Sequence, residues 1–235
     1  MRQIKDTEKL YAECWGTMRE LNQLLLNFNF KKSFNDHDYY VSDSNYFAFN
    51  LIDKWPKWEK RILNINGEKF SGKTHLANIF KIKSSALYLN GKDINNEVFK
   101  KIKLYESIII DEFSNRIEEN LIYSIFNLVD QDSKYLLIIT ENPLSEIKFK
   151  LPDLVSRSKN SLLAKIDPPD DDLIFALILK NFSDRQIKLE KQIIEFIVNR
   201  IERSYSKISE FIYKVDELSL KKKKPINLKT IKEIL

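Results

Sequence analysis

The sequence predicts an α/β fold: a five-stranded parallel sheet flanked by helices, followed by a small all-helical region. Three observations predict it. Five apolar, β-prone runs recur along the chain, separated by amphipathic stretches, as a parallel sheet covered on both faces requires. The first run leads straight into the octapeptide GEKFSGKT, a strand-to-helix junction. Pro168-Pro169 then breaks the pattern, and every later apolar repeat has helical spacing.

The elements follow in order. Residues 1–33 read as an arm, with helical character over 5–21. The α/β pattern begins at Phe34, and residues 34–167 form the sheet domain. Its expected strands are Arg61–Ile65, Ala86–Leu89, Ser107–Ile110, Tyr135–Thr140 and Leu162–Ile166. The run Ile108-Ile109-Ile110 suits a central strand buried on both faces. Residues 168–235 form the helical domain. Its first helix, Asp170–Phe182, carries acids in its first turn, where the helix dipole favours them. Ile193, Ile194, Ile197 and Ile201 line one face of the next helix. Ile208, Phe211, Ile212, Val215 and Leu218 line a third, and residues 227–235 form a short last one.

The chain has 235 residues, 43% hydrophobic and 31% charged, with a formal charge of +5. That is enough for one α/β core and a small second domain. Lysines outnumber arginines 31 to 8 and are scattered, which is a solvation signal rather than a nucleic-acid footprint. The run Lys221–Lys224 carries two readings, contact with DNA phosphates or a solvated helix end. One cysteine, Cys14, permits no internal disulfide, and two histidines are too few for a metal cluster. No apolar run approaches the ~20 residues of a membrane span, and no signal-peptide core is present, so the expected location is cytoplasmic.

GEKFSGKT, residues 67–74, is a full match to G-x-x-x-x-G-K-[ST]. Gly67 and Gly72 let the backbone turn and approach phosphate closely, so that its N–H groups face the phosphate oxygens. Lys73 reaches the β- and γ-phosphates of a nucleotide, and the Thr74 hydroxyl ligates Mg²⁺. The third strand ends in Asp111-Glu112. Asp111 is placed to hold Mg²⁺ and Glu112 to polarise an attacking water. Beyond the fourth strand, Asn142 is the first candidate for orienting that water and Thr140 the second. A plain Asn-Pro turn is the alternative.

This order of motifs, followed by Leu151-Pro152-Asp153-Leu154-Val155-Ser156-Arg157, resembles the AAA+ ATPases of the DnaA family. LPDLVSR is similar to that family's box carrying an arginine finger. Val41-Ser42-Asp43-Ser44-Asn45 is similar to its entry into the first helix, which implies that Asn45 lies near the adenine. Leu228–Leu235 resembles the ending of Hda-type members. Gln23-Leu24-Leu25-Leu26-Asn27-Phe28 resembles the peptide with which Hda-type members bind the β sliding clamp, with Gln23, Leu24, Leu26 and Phe28 as its contacts. A chain that stops after the helical domain leaves no room for the helix-turn-helix of an initiator, which favours the Hda type. The resemblance implies a P-loop AAA+ core with a helical lid, and ATP or ADP with Mg²⁺. It implies weak intrinsic hydrolysis at most, and a regulatory role in replication initiation. Arg157 would act in trans on ATP held by DnaA, with the clamp as second partner and DNA reached through the clamp. A DnaA-like initiator or helicase loader is the alternative. One departure is plain: Ser206 stands where the family carries a lid arginine facing the nucleotide.

Overall fold

The structure, a computed structural model, describes residues 39–187, 189–222 and 227–235, all within one compact unit, Phe34–Leu235. The clamp-like segment with Gln23, Leu24, Leu26 and Phe28 lies outside the described residues.

The described elements are α1 (Tyr46–Asp53), β1 (Ile62–Asn66), α2 (Lys73–Ser84), β2 (Leu87–Asn90), α3 (Val98–Ile102), β3 (Ser107–Asp111), α4 (Glu119–Gln131), β4 (Tyr135–Thr140), α5 (Pro152–Lys159), β5 (Leu162–Lys165), α6 (Asp171–Asp184), α7 (Lys191–Val198), α8 (Tyr205–Lys222) and α9 (Leu228–Ile234). All five strands are parallel, in the order β2-β3-β4-β1-β5. The expected strands are all present, with ends displaced by a residue. β2 runs to Asn90 and β5 stops at Lys165.

Strand alternation sorts the core into two layers. Ile109, Leu137 and Ile139 point to the face covered by α1 and α2, against Ala48, Ile52, Leu76, Ala77 and Phe80. Ile108, Ile110, Leu136 and Ile138 point to the other face, against α3, α4 and α5. β3 and β4 are therefore buried on both sides, which is why their sequences read as unbroken Ile and Leu runs. α4 meets the sheet through Ile122, Ile125, Phe126 and Val129, the i, i+3, i+4, i+7 stripe of an amphipathic helix.

α6 to α9 enclose their own core, built on Ile174, Ile178, Phe182, Ile194, Ile197, Phe211, Val215 and Ile231. Asp170 caps α6, its carboxylate accepting from the Leu173 N–H at 2.8 Å, so the acid read as the first residue of that helix is its N-cap. No described helix is long and apolar enough to cross a membrane.

Candidate functional site

The sheet order puts β4 between β1 and β3. The C-terminal ends of these strands therefore lie side by side, with Thr140 in register with Asn66 at the mouth of the phosphate loop. Gly72 ends that loop with φ +87, in the left-handed region that a side chain disfavours, and a Cβ there would sit 3.1 Å from the Tyr39 ring. Gly72 is also the N-cap of α2, whose first turn holds no acid. The positive end of the helix dipole is thus left open to an anion.

Lys73 donates to the main-chain carbonyls of Gly67 at 2.8 Å and Glu68 at 2.6 Å. Its ammonium is held inside the loop, where phosphate oxygens would compete with two carbonyl dipoles. Burial pushes its pKa down, opposed by the carboxylates of Glu141, Asp111 and Glu68.

The Thr74 hydroxyl donates to Asp111 Oδ2 at 2.9 Å, so the two residues expected to hold Mg²⁺ meet across 37 positions of sequence. Asp111 is 4% exposed and fully oriented. Its Oδ2 also accepts from the Tyr88 hydroxyl, and its Oδ1 accepts the Glu112 N–H at 2.8 Å. The Tyr88 pKa is raised by burial and by its bond to the Asp111 carboxylate. Among the described residues no cluster of His, Cys, Asp and Glu could hold a metal alone. The donor set of one hydroxyl and one carboxylate suits Mg²⁺, which takes few protein ligands and completes its shell with water and phosphate.

Glu112 has φ +53, and its carboxylate pairs with Lys92 at 2.6 Å and accepts from Asn90 at 3.1 Å. Lys92 first, then Asn90, lower its pKa. Thr140 is buried, and its hydroxyl accepts from Asn64 Nδ2 at 2.8 Å. Asn64 also donates to the Ile138 carbonyl at 3.1 Å and accepts the Leu144 N–H at 2.8 Å, pinning both sides of the tip that carries Asn142. Asn142 itself is exposed.

The structure brings Gly67, Gly72, Lys73, Thr74 and Asp111 together around one loop. Two other expected residues are engaged elsewhere. Asn45 is 3% exposed, and both ends of its amide are used locally, donating to the Tyr40 carbonyl at 3.0 Å and accepting the Ser42 N–H at 3.0 Å. It shapes the turn into α1 rather than presenting a free amide. Arg157, on α5, pairs with Asp130 at 2.5 Å and Asp153 at 2.7 Å, and lies 5.8 Å from the centre of the Tyr123 ring.

Sequence reasoning missed Tyr88, Asn64, Glu68 and Gly91. Gly91 follows β2, and a Cβ there would lie 2.6 Å from the Glu112 carbonyl oxygen. Only the even spacing of Tyr88 and Asn90 on one strand could have hinted at the first of these.

The comparisons agree with this geometry. The Hda lid domain family matches residues 170–235. The chromosomal replication initiator protein DnaA of Borreliella afzelii is 25% identical over 228 residues, covering 86% of this chain and 46% of that protein. The DnaA of Buchnera aphidicola is 23% identical over 239 residues, covering 91% of this chain and 55% of that protein. The chain thus spans about half the length of the curated relatives it matches. Domain III of the Thermotoga maritima DnaA superposes with a TM-score of 0.69 at 18% identity, covering 86% of this chain and 95% of that one. A Thermotoga maritima RuvB superposes with a TM-score of 0.54 at 18% identity, over 74% of this chain and 60% of that one. With a five-stranded parallel sheet, a phosphate loop and a helical C-terminal region similar to the Hda lid, the chain has the fold of the DnaA AAA+ domain and is similar in sequence to DnaA initiators.

Proposed function

We propose that this chain is an Hda-like regulator of chromosomal replication initiation. It holds ATP or ADP with Mg²⁺ in the loop from Gly67 to Thr74 and stimulates hydrolysis of ATP bound to DnaA. The observation that carries the nucleotide part is the meeting of Thr74 and Asp111 at 2.9 Å beside the Lys73 ammonium. The match of residues 170–235 to the Hda lid supports the regulatory part. Residues 34–167 are the nucleotide domain in this reading and residues 168–235 the lid. The bound Mg²⁺ would neutralise phosphate charge, and Thr74 and Asp111 are the residues to hold it. Glu112 and Asn142 orient water at the chain's own site, where turnover is weak.

Arg157 acts in trans, its guanidinium directed to charge developing on the partner's γ-phosphate, a contribution of ~10³–10⁵ in rate where such fingers operate. Gln23, Leu24, Leu26 and Phe28 bind the β sliding clamp as an extended peptide, with Leu26 and Phe28 as buried anchors. DNA is reached through the clamp, which would place the protein at the nucleoid in the cytoplasm.

A second reading has support of its own, since the relatives described above are DnaA initiators and one fold neighbour is a DnaA bound to AMPPCP and single-stranded DNA. In that reading the chain is a DnaA-like initiator or helicase loader. One assay separates the two. ATP-loaded DnaA, DNA-loaded clamp and this protein are mixed, and ADP formation on DnaA is followed. The regulator accelerates it, and the acceleration disappears when Leu26 and Phe28 are both changed to Ala. No acceleration by the unaltered protein rejects the regulatory function and leaves the loader reading.

A further inference from the structure

Glu68 is the second residue of the phosphate loop, yet its side chain leaves the loop altogether. Oε1 accepts from the Ser204 hydroxyl at 2.5 Å and the Ser206 N–H at 3.0 Å, and Oε2 accepts the Tyr205 N–H at 2.9 Å. These donors form the first turn of α8, 136 to 138 residues further along the chain. Ser204 serves both sides. Its Oγ accepts the Lys207 N–H at 3.3 Å, as a helix N-cap does, and donates to Glu68. The first N–H groups of a helix have no partner within it and lie at the positive end of its dipole, so a carboxylate there is favoured twice over.

The same residue faces the other way through its backbone. The Glu68 carbonyl accepts the Lys73 ammonium at 2.6 Å. One residue therefore touches the phosphate-binding lysine with its main chain and the lid helix with its side chain. Other ties between sheet domain and lid include the Ser44 N–H donating to Asp170 at 3.3 Å, Tyr205 Oη donating to the Asp167 carbonyl at 3.1 Å, and Leu173 and Tyr205 packed in the sheet domain's core. Residues 167–170 carry the chain from one part to the other.

We infer that Glu68 is a latch: a positioning residue through which the phosphate loop sets the angle of the lid, linking lid orientation to what the loop holds. The physical case rests on the type of partner. An exposed ion pair orders two flexible side chains and gains little. Here two of the three partners are backbone N–H groups already fixed by α8, and the third is the short Ser204 hydroxyl already held as that helix's cap. The latch also stands where the lid delivers no arginine. Ser206 contributes its N–H to Glu68, so the lid's hold on the loop comes from the loop's own carboxylate. Because binding linkage is reciprocal, loosening this contact must change the affinity of a loop ligand as much as the ligand changes the lid.

The test reads lid position directly. Labels are placed through Asn96→Cys in the sheet domain and Gln192→Cys in the lid, in a Cys14→Ser background, and their distance distribution is measured in the ligand-free protein. Glu68→Ala should broaden that distribution, and Glu68→Gln, which keeps one acceptor oxygen, should restore part of it. The unfolding midpoint should fall only slightly, as expected for an exposed carboxylate, whereas a residue that merely stabilised the fold would lower the midpoint without broadening the distance distribution. Mg·ADP affinity, measured by calorimetry, should fall roughly ten-fold in Glu68→Ala, the size of one charge-assisted hydrogen bond, and less in Glu68→Gln. An unchanged distance distribution in Glu68→Ala overturns the inference. So does a broadened distribution with unchanged Mg·ADP affinity, since the linkage would then be missing. The affinity arm rests on the nucleotide reading. Failure of that reading shows separately, as an absence of Mg·ADP binding by the unaltered protein, whereas the latch is read without any ligand.

Discussion

Gly91 offers a perturbation that removes no functional group. It does not adopt the left-handed region, so Gly91→Ala meets no backbone strain, only contact. The new Cβ would lie 2.6 Å from the Glu112 carbonyl oxygen and 3.1 Å from its carbonyl carbon, where ordinary contact begins at 3.4 Å. The tips of β2 and β3 must therefore separate by 0.4 Å to reach the 3.0 Å floor, or by 0.8 Å to reach ordinary contact (3.0 − 2.6 and 3.4 − 2.6). Asp111 is paired with Asn90 in that same register, and so it moves with the tip. Its bond from Thr74, now 2.9 Å, would stretch to between 3.3 and 3.7 Å if the displacement is along it (2.9 + 0.4 and 2.9 + 0.8), outside the ~2.5–3.0 Å range of hydroxyl hydrogen bonds. Overpacking costs about 1–3 kcal/mol, and the stiffer unfolded chain returns about 0.4–1 kcal/mol. A net loss of about 0.6–2 kcal/mol (1 − 0.4 and 3 − 1) corresponds to a midpoint lowered by roughly 1–8 °C in a chain of this size. Calorimetry with and without Mg²⁺ then reads the site. Nucleotide affinity in EDTA should hold, because Lys73 and the loop are untouched, while the extra affinity conferred by Mg²⁺ should fall roughly ten-fold. An unmoved midpoint with an unmoved Mg²⁺ increment refutes the reasoning, as does an equal loss with and without Mg²⁺.

Three further outcomes are expected. Lys73→Ala should weaken Mg·ADP and Mg·ATP binding by two orders of magnitude or more, since the loop loses the cation nearest the phosphates, and calorimetry checks it. Arg157→Ala should abolish stimulation of DnaA's ATP hydrolysis while leaving nucleotide affinity intact. It should shift unfolding by less than ~1 kcal/mol, because Asp130 and Asp153 are surface partners, and Lys should rescue poorly for want of a planar fork. Acid should release the lid. Burial opposes ionisation of Glu68, but its bonds from Ser204, Ser206 and Tyr205 prevail and hold the carboxyl below its ordinary 4.5. A lowered folded-state pKa gives stability that is complete above pH 4.5 and lost as pH falls through the folded value, so the labelled lid distance should broaden there, and by more in the unaltered protein than in Glu68→Gln, where only Asp170 at the chain crossing still titrates.

The features legible in the sequence are those whose physics is local. Ile108 to Ile110 and Leu136 to Ile139 are apolar at every position because both faces of β3 and β4 are covered, and a run of that kind needs no partner to be recognised. GEKFSGKT contains its own geometry, with glycines for the turns, lysine for charge and threonine for the metal, within eight contiguous residues. The meeting of Thr74 and Asp111 was foreseeable because each ends or follows a strand of one parallel sheet, and such sheets gather their functional groups at the carboxyl edge. Tyr88, Asn64, Gly91 and Glu68 belong to another category. Tyr88 reaches Asp111 only because β2 lies beside β3, and Asn64 reaches Thr140 only because β4 inserts next to β1. No periodicity in the chain encodes that order.

Arg157 and Asn45 show the same limit from the other side. A motif fixes which residue stands at a position, but whether the side chain is free depends on neighbours the motif does not contain. Asn45 uses both ends of its amide on Tyr40 and Ser42, so an adenine near this turn would be met by its backbone and by neighbouring side chains, not by that amide. For Arg157 the balance is one of charge. A guanidinium paired with the carboxylates of both Asp130 and Asp153 belongs to a cluster of net charge −1 (+1 − 2), which repels a triphosphate at long range. To act on a partner's γ-phosphate, Arg157 must exchange those two carboxylates for the phosphate oxygens. Both pairs are partly exposed and hence weak, so the exchange costs little once the surfaces have met. In the proposed regulatory reading, docking of the two surfaces therefore precedes the finger's engagement.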